Sequence, residues 1–173
     1  MVTACPLPPG ALLDRYVRAD AFVDCYVTEL ATPISLAQFV EAFYTTPVFG
    51  IERLLLKLFV ARPSTDAQVR QLAAGEIETF AAWHVEDRNA AQLLLADFTG
   101  RTRSWLMVAT DVADGTAITR LHFGSAVIPV TNAKSGRRAQ GFVFSALLGF
   151  HKLYSRALLS AARRRLASAY RSK

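Results

Sequence analysis

Apolar and polar positions change period along this chain, and each change marks an element. Residues 21–30 (AFVDCYVTEL) are rich in β-branched and aromatic side chains and predict a strand. The spacing then turns helical. Ser35 is followed three residues later by Gln38, a capping box that satisfies two backbone N–H groups left unbonded by the first helical turn. That helix is expected to end near Tyr44, because Pro47 lacks the N–H and crowds the preceding turn. A second helix is expected over 48–59. Thr65 and Gln68 repeat the capping pattern for a short third helix that stops at Gly75. From Ile77 the pattern is that of strands: 77–85, 90–97, 102–112 and 116–129. A polar loop (TNAKSGRR) then leads into a last helix over about 138–169, roughly 30 residues and so about 45 Å long.

The turns fix the register. Asp114-Gly115 is a strong two-residue hairpin signal, because both central residues must take positive φ; Thr99-Gly100 is a weaker one. A loop at 114–115 pairs Ala113 with Thr116, and so Val108 with Leu121 and Leu106 with Phe123. A loop at 99–100 pairs Leu95 with Ser104 and Leu93 with Leu106. One sheet face then collects Leu93, Leu95, Leu106, Val108, Leu121 and Phe123. The other collects Gln92, Leu94, Arg103, Trp105, Met107, Arg120 and His122. A slip by one residue would exchange the sets, and the coherence of the first argues for the register given. The apolar face should look inward and the mixed face should be at least partly wet. Residues 1–20, with Pro6, Pro8, Pro9 and Gly10, read as a leader with at most a turn of helix at 12–18. A single domain is expected over 21–173.

Charge divides along the chain. The last acidic residue is Asp114; the first 114 residues carry nine basic and fourteen acidic side chains, and the remainder eleven basic and none acidic, so −5 and +11 give the net +6. Hydrophobic content is 52% and the mean hydropathy +0.23, room for a lined cavity, an oligomer interface or a membrane-facing surface as well as a filled core. The N-terminus has neither the basic nor the apolar stretch of a signal peptide. The longest apolar run, 141–150, falls short of the about 20 residues a span needs. Two cysteines, Cys5 and Cys25, build neither a disulfide framework nor a metal site, so a reduced, cytoplasmic setting is expected.

Strand, helix pair, antiparallel meander and long C-terminal helix follow one another here. The stretches AFVDCYVTEL, SLAQFVEAFYTTPVFGIERLLLKL and GFVFSALLGFHKLYSRALLSAARRRL carry this order. In it the chain resembles the helix-grip superfamily, also called START-like, polyketide-cyclase-like or SRPBCC. The ending, with Phe150, His151, Tyr154 and Leu158, is similar to small bacterial members with a Phe-His-x-x-Tyr-x-x-x-Leu pattern. The resemblance covers about residues 21–170 and implies an α+β fold. In it a curved antiparallel sheet wraps the C-terminal helix and leaves a hydrophobic cavity between them. Five or six strands are countable here. The superfamily has no universal catalytic motif, so no catalytic residue carries over.

No G-x-S-x-G, C-x-x-C, H-E-x-x-H or phosphate loop occurs, and no metal or cofactor is expected. Ser135-Gly136-Arg137-Arg138 is only a weak anion-site candidate at the start of the last helix, more readily read as a solvated basic turn. Of the three histidines, His122 falls on the mixed face and His151 on the helix. His84 faces the apolar side if the 86–90 loop has even length, with Asp97 or Thr119 as polar neighbours. His84, Asp97 and Tyr154 are therefore the candidate catalytic groups; their plain readings are a surface histidine, a turn carboxylate and a core tyrosine. Phe142, Leu147, Phe150, Tyr154, Leu158 and Ala161 share one helix face toward the sheet.

Three function classes remain. The first is a binder of a hydrophobic, lipid- or polyketide-like molecule, with Leu93, Leu106, Val108, Leu121, Phe123, Phe150 and Tyr154 lining the cavity. The second is a cyclase- or hydratase-like enzyme using the same cavity. The third is a peripheral module that meets an anionic membrane through Arg163, Arg164 and Arg165, or pairs with a second copy through Trp105, Met107 and His122. Nucleic acid is not an expected partner, because the aromatic residues lie upstream of the basic ones.

Overall fold

The computed structural model describes residues 1–19, 21–47, 65–113, 115–128 and 142–171, the backbone alone for 142–151 and Ala113. The expected helix 48–59, the turn Ser135–Arg138, and the side chains of Phe142, Leu147, Phe150 and His151 lie outside what is described. The architecture is α+β: a seven-stranded antiparallel sheet and a long C-terminal helix. The strands are β1 (Thr3–Ala4), β2 (Phe22–Leu30), β3 (Thr79–Phe80), β4 (Trp83–Arg88), β5 (Gln92–Asp97), β6 (Thr102–Ala113) and β7 (Thr116–Val127). Across the sheet they run β1-β2-β7-β6-β5-β4-β3. The helices are α1 (Asp14–Arg18), α2 (Leu36–Tyr44), α3 (Asp66–Ala74) and α4 (Phe142–Arg171).

Local chemistry sets the helix ends. Both capping boxes form: Ser35 with Gln38 opens α2, and Thr65 with Gln68 opens α3. Gly75 ends α3 at φ 79°, a left-handed position that a Cβ disfavours. The meander pairs as its turns require, with Ala113 opposite Thr116, Val108 opposite Leu121, Leu106 opposite Phe123 and Leu93 opposite Leu106.

The sheet is larger than the expected five or six strands because two short ones carry no periodic signal. The stretch 77–85, expected as one strand, is broken at Ala81–Ala82 into a tight hairpin, with Phe80 opposite Trp83 and Ala81 at φ 53°. An Ala-Ala pair lacks the Gly or Asn that marks such turns. The other short strand, β1, comes from the supposed leader and pairs Thr3 with Val27 and Ala4 with Tyr26.

Each sheet face is covered. On one, Leu93, Leu95, Leu106, Leu121 and Phe123 pack with Phe39, Phe43 and Tyr44 of α2, Val69 and Leu72 of α3, and Leu158, Leu159, Ala162 and Leu166 of α4. Burying each such large side chain contributes about 1.5–3 kcal/mol. Phe43 meets Phe123 at 4.7 Å between ring centroids, and Tyr44 meets Phe80 at 5.6 Å.

The mixed face is dry around Trp105 and Leu94, where the N-terminal arm, residues 1–18, covers it, and wet at the exposed Arg120. Ala11 and Leu13 pack with Cys25, Leu94, Trp105 and Ala126, and Leu7, Leu12 and Tyr16 flank them. Trp105 is 0% exposed and His122 7%, so the patch expected to face a second copy lies under the chain's own arm. Gln92 fastens this layer: its Oε1 accepts from Leu12 N at 2.8 Å and Trp105 Nε1 at 2.9 Å, and its Nε2 donates to Gly10 O at 3.0 Å. At the arm's end Arg15 pairs with Asp87, and Tyr16 donates to Glu86, which also pairs with Arg103 at 2.5 Å. Gly124 lets the layer close: a Cβ there would lie 2.8 Å from Leu13 Cδ2 and 2.9 Å from Trp105 Cε3.

Candidate functional site

The described part of α4 runs alongside β2 in the same direction. Lys152 lies over the Phe22 ring at 5.9 Å and Arg156 over Tyr26 at 5.4 Å. Arg163 Nε donates to Glu29 O at 3.1 Å, and Tyr170 hydroxyl to Pro33 O at 3.2 Å. The helix therefore sits on the β2 side of the sheet face shared with α2 and α3.

Three rows of directly opposed residues cross that face. Leu93–Leu106–Phe123–Tyr26 is dry core, each residue at most 5% exposed. Phe22, Val127 and Thr102, four residues further along their strands, are half-buried. Between the dry row and the half-buried row runs Leu95–Ser104–Ser125–Asp24. Three of its four members are polar, and they lie directly beside the all-apolar and aromatic dry row.

These polar groups bond to one another. Ser125 Oγ donates to Asp24 Oδ1 at 2.6 Å, and the Ser125 backbone N–H to the same oxygen at 3.2 Å. Tyr44 hydroxyl meets Ser104 Oγ at 3.0 Å. Tyr26 also hydrogen-bonds the Asp24 carboxylate. Burial, then the Asp24 charge and that bond, push its pKa up to about 12, so the phenol remains a donor. On α4, Ser155 shares the buried stripe of the helix with Leu158, Leu159, Ala162 and Leu166. Its residue is 0% exposed, and its Oγ has no hydrogen-bond partner among the described residues. An unmet buried hydroxyl costs about 1–3 kcal/mol. Chemically, the row offers one carboxylate acceptor and several hydroxyls to a single polar group at the edge of an apolar core.

None of Asp24, Ser104, Ser125, Tyr44 or Ser155 stood out in the sequence. One signal was present: the hairpin register that pairs Leu106 with Phe123 also sets Ser104 opposite Ser125, two residues further along. Asp24 became part of the row only through the pairing of β2 with β7, which no turn encodes.

The expected site residues are distributed differently. Leu93, Leu106, Leu121 and Phe123 are buried in the packed cluster, with Val108 and Tyr154 half-buried against it. His84 is exposed and opposite Ala96, so it lies on the face away from Leu95 and Asp97. The bulge at Glu86, between Val85 and Asp87, and the loop 89–91 set this phase. A His84–Asp97 pair therefore does not form. Asp97 organises the β5–β6 turn. Burial alone would raise its pKa, but hydrogen bonds from the Thr99 hydroxyl and from the backbone N–H groups of Thr102, Arg101 and Thr99 outweigh it and leave it lowered. Thr119 is also committed, donating to Thr32 O at 2.7 Å and accepting from Ile34 N at 3.1 Å. Among the described residues no group of three His, Cys, Asp or Glu side chains could hold a metal ion.

On the arm side, at the β2 edge, a recess of about 600 Å³ is lined by Val27, Ile118, Arg120, His122 and Arg163 among others. Its His122 Nδ1 is buried without a hydrogen-bond partner among the described residues. Burial, then the Arg120 charge, lower the His122 pKa from 6.5. The folded state thus keeps the ring neutral where the unfolded chain takes up a proton. Stability from this group is present above pH 6.5 and declines as pH falls from there toward the depressed folded value, levelling below it. Melting temperatures between about pH 7.5 and about pH 5 should fall less in His122→Gln than in the parent protein. Parallel curves would assign the acid sensitivity elsewhere.

No family model matches the chain, and no curated protein matches it. Among the described residues no helix is long and apolar enough to cross a membrane.

Proposed function

We propose that this chain is a helix-grip protein that binds a hydrophobic small molecule carrying one neutral polar group, between the sheet and α4. The observation that carries the reading is the row Ser104–Ser125–Asp24, set where the dry core gives way to the half-buried end at Phe22, Thr102 and Val127, with a buried Ser155 hydroxyl on α4 that has no partner among the described residues. The apolar body of the ligand would gain about 25 cal/mol per Å² of surface removed from water. Its polar group would complete the row. Because Asp24 already presents acceptor oxygens, a hydroxyl donor suits the site better than a carboxylate. The seven-stranded antiparallel sheet and long C-terminal helix are compatible with such a fold and would be the two walls.

Native mass spectrometry of protein purified without detergent tests this. The expected result is an extra mass that is released on denaturation and belongs to an apolar alcohol or related amphiphile. A clean chain mass, together with no uptake of added dodecanol, would reject the reading.

A further inference from the structure

We propose that Cys5 and Cys25 are a dithiol site that low-molecular-weight disulfides convert into a covalent staple between the N-terminal arm and β2. Three observations meet here. The ladder that sets Thr3 opposite Val27 and Ala4 opposite Tyr26 brings Cys5 opposite Cys25 one step later, and Cys5 N donates to Cys25 O at 3.0 Å. Opposed residues of an antiparallel pair have Cα atoms about 4.5–5.5 Å apart, within the about 4.4–6.8 Å that a disulfide spans. The side chains point at each other: the Cys5 thiol donates to the Cys25 sulfur at 3.2 Å. Closing the bond needs the sulfurs to approach by only about 1 Å.

The two thiols differ in access. Cys25 is buried, and burial, followed by its hydrogen bond with Cys5, raises its pKa strongly. Cys5 is half-buried; burial raises its pKa too, but the contact with Cys25 opposes the rise. Cys5 is thus the first nucleophile. Its thiolate attacks one sulfur of a disulfide RSSR, forming Cys5–S–SR and releasing RS⁻. Cys25 then gives its proton to solvent and attacks the Cys5 sulfur, releasing the second RS⁻. Two protein thiols are oxidised by two electrons, and RSSR is reduced to two RSH after the thiolates take up protons.

The staple would pin the segment that covers Leu94 and Trp105. It lies on the sheet face opposite Asp24 and Ser125, so it stands or falls independently of the ligand reading.

The test equilibrates the full folded chain with reduced and oxidised glutathione, quenches with acid, and reads intact mass and the Cys5–Cys25 peptide. The expected product has lost two hydrogens. Its equilibrium constant should exceed that of the same chain in concentrated urea on the order of a hundredfold, because a link that stabilises the fold is favoured by the fold to the same extent. The oxidised protein should melt roughly 6–12 °C higher, a gain absent from Cys5→Ser and Cys25→Ser. Folded protein that keeps both thiols free, or stops at a glutathione adduct, where the urea-unfolded chain closes the link would overturn the proposal. Equal closure in the two states would do the same.

Discussion

Trp105→Ala is expected to lose about 3–5 kcal/mol of stability, the usual cost of truncating a fully buried large aromatic side chain. Trp105 is 0% exposed and fills the layer between sheet and arm, where Leu13 and Leu94 close around it. Its Nε1 also donates to Gln92, the side chain whose two other bonds, to Leu12 and Gly10, hold the arm. The loss should therefore loosen the whole N-terminal segment as well as leave a cavity. Urea titration measures the first effect, and protease cleavage within residues 1–18 the second. A variant within about 1 kcal/mol of the parent, with its arm still protected, would show that the layer contributes little.

Asp24→Asn is expected to weaken dodecanol binding by about tenfold or more while the chain stays folded. A hydrogen bond to a charged acceptor contributes about 1.5–3 kcal/mol, more than one to the amide that replaces it. The amide keeps the shape of the side chain and can still accept from the Ser125 hydroxyl, which limits the cost to the fold. Calorimetry on both proteins, with a melting curve as control, separates lost affinity from lost structure. Unchanged affinity in a folded variant would place the polar anchor elsewhere.

What could be read in advance was what is encoded locally. The boxes at Ser35 and Thr65 act within four residues, and the turn at Gly115 fixes the β6–β7 register from two. The arm was not legible, because Leu7, Leu12 and Leu13 stand among prolines with no helical or strand period. Yet the mixed face held a clue: Leu94, Trp105 and Met107 lie close together there and need a cover, and the arm provides it. The hairpin at Ala81–Ala82 failed for a different reason, since neither residue signals a turn. The polar row depends on contacts of long sequence separation. Asp24 and Ser125 are 101 residues apart, and only the β2–β7 pairing aligns them. His84 shows how sensitive such reasoning is to one bulge, for the phase of β4 decided which face it took.

The most direct test of the ligand reading uses methyl NMR on the full chain, titrated with dodecanol. The consecutive leucines of β5 make an internal comparison, because Leu93 and Leu95 face the helices while Leu94 faces the arm. The account predicts shifts at Leu95, Leu106, Leu121 and Val127, with Leu94 and the exposed Val112 unmoved. Shifts confined to Leu13 and Leu94, or to Val27 and Ile118 in the edge recess, would contradict it.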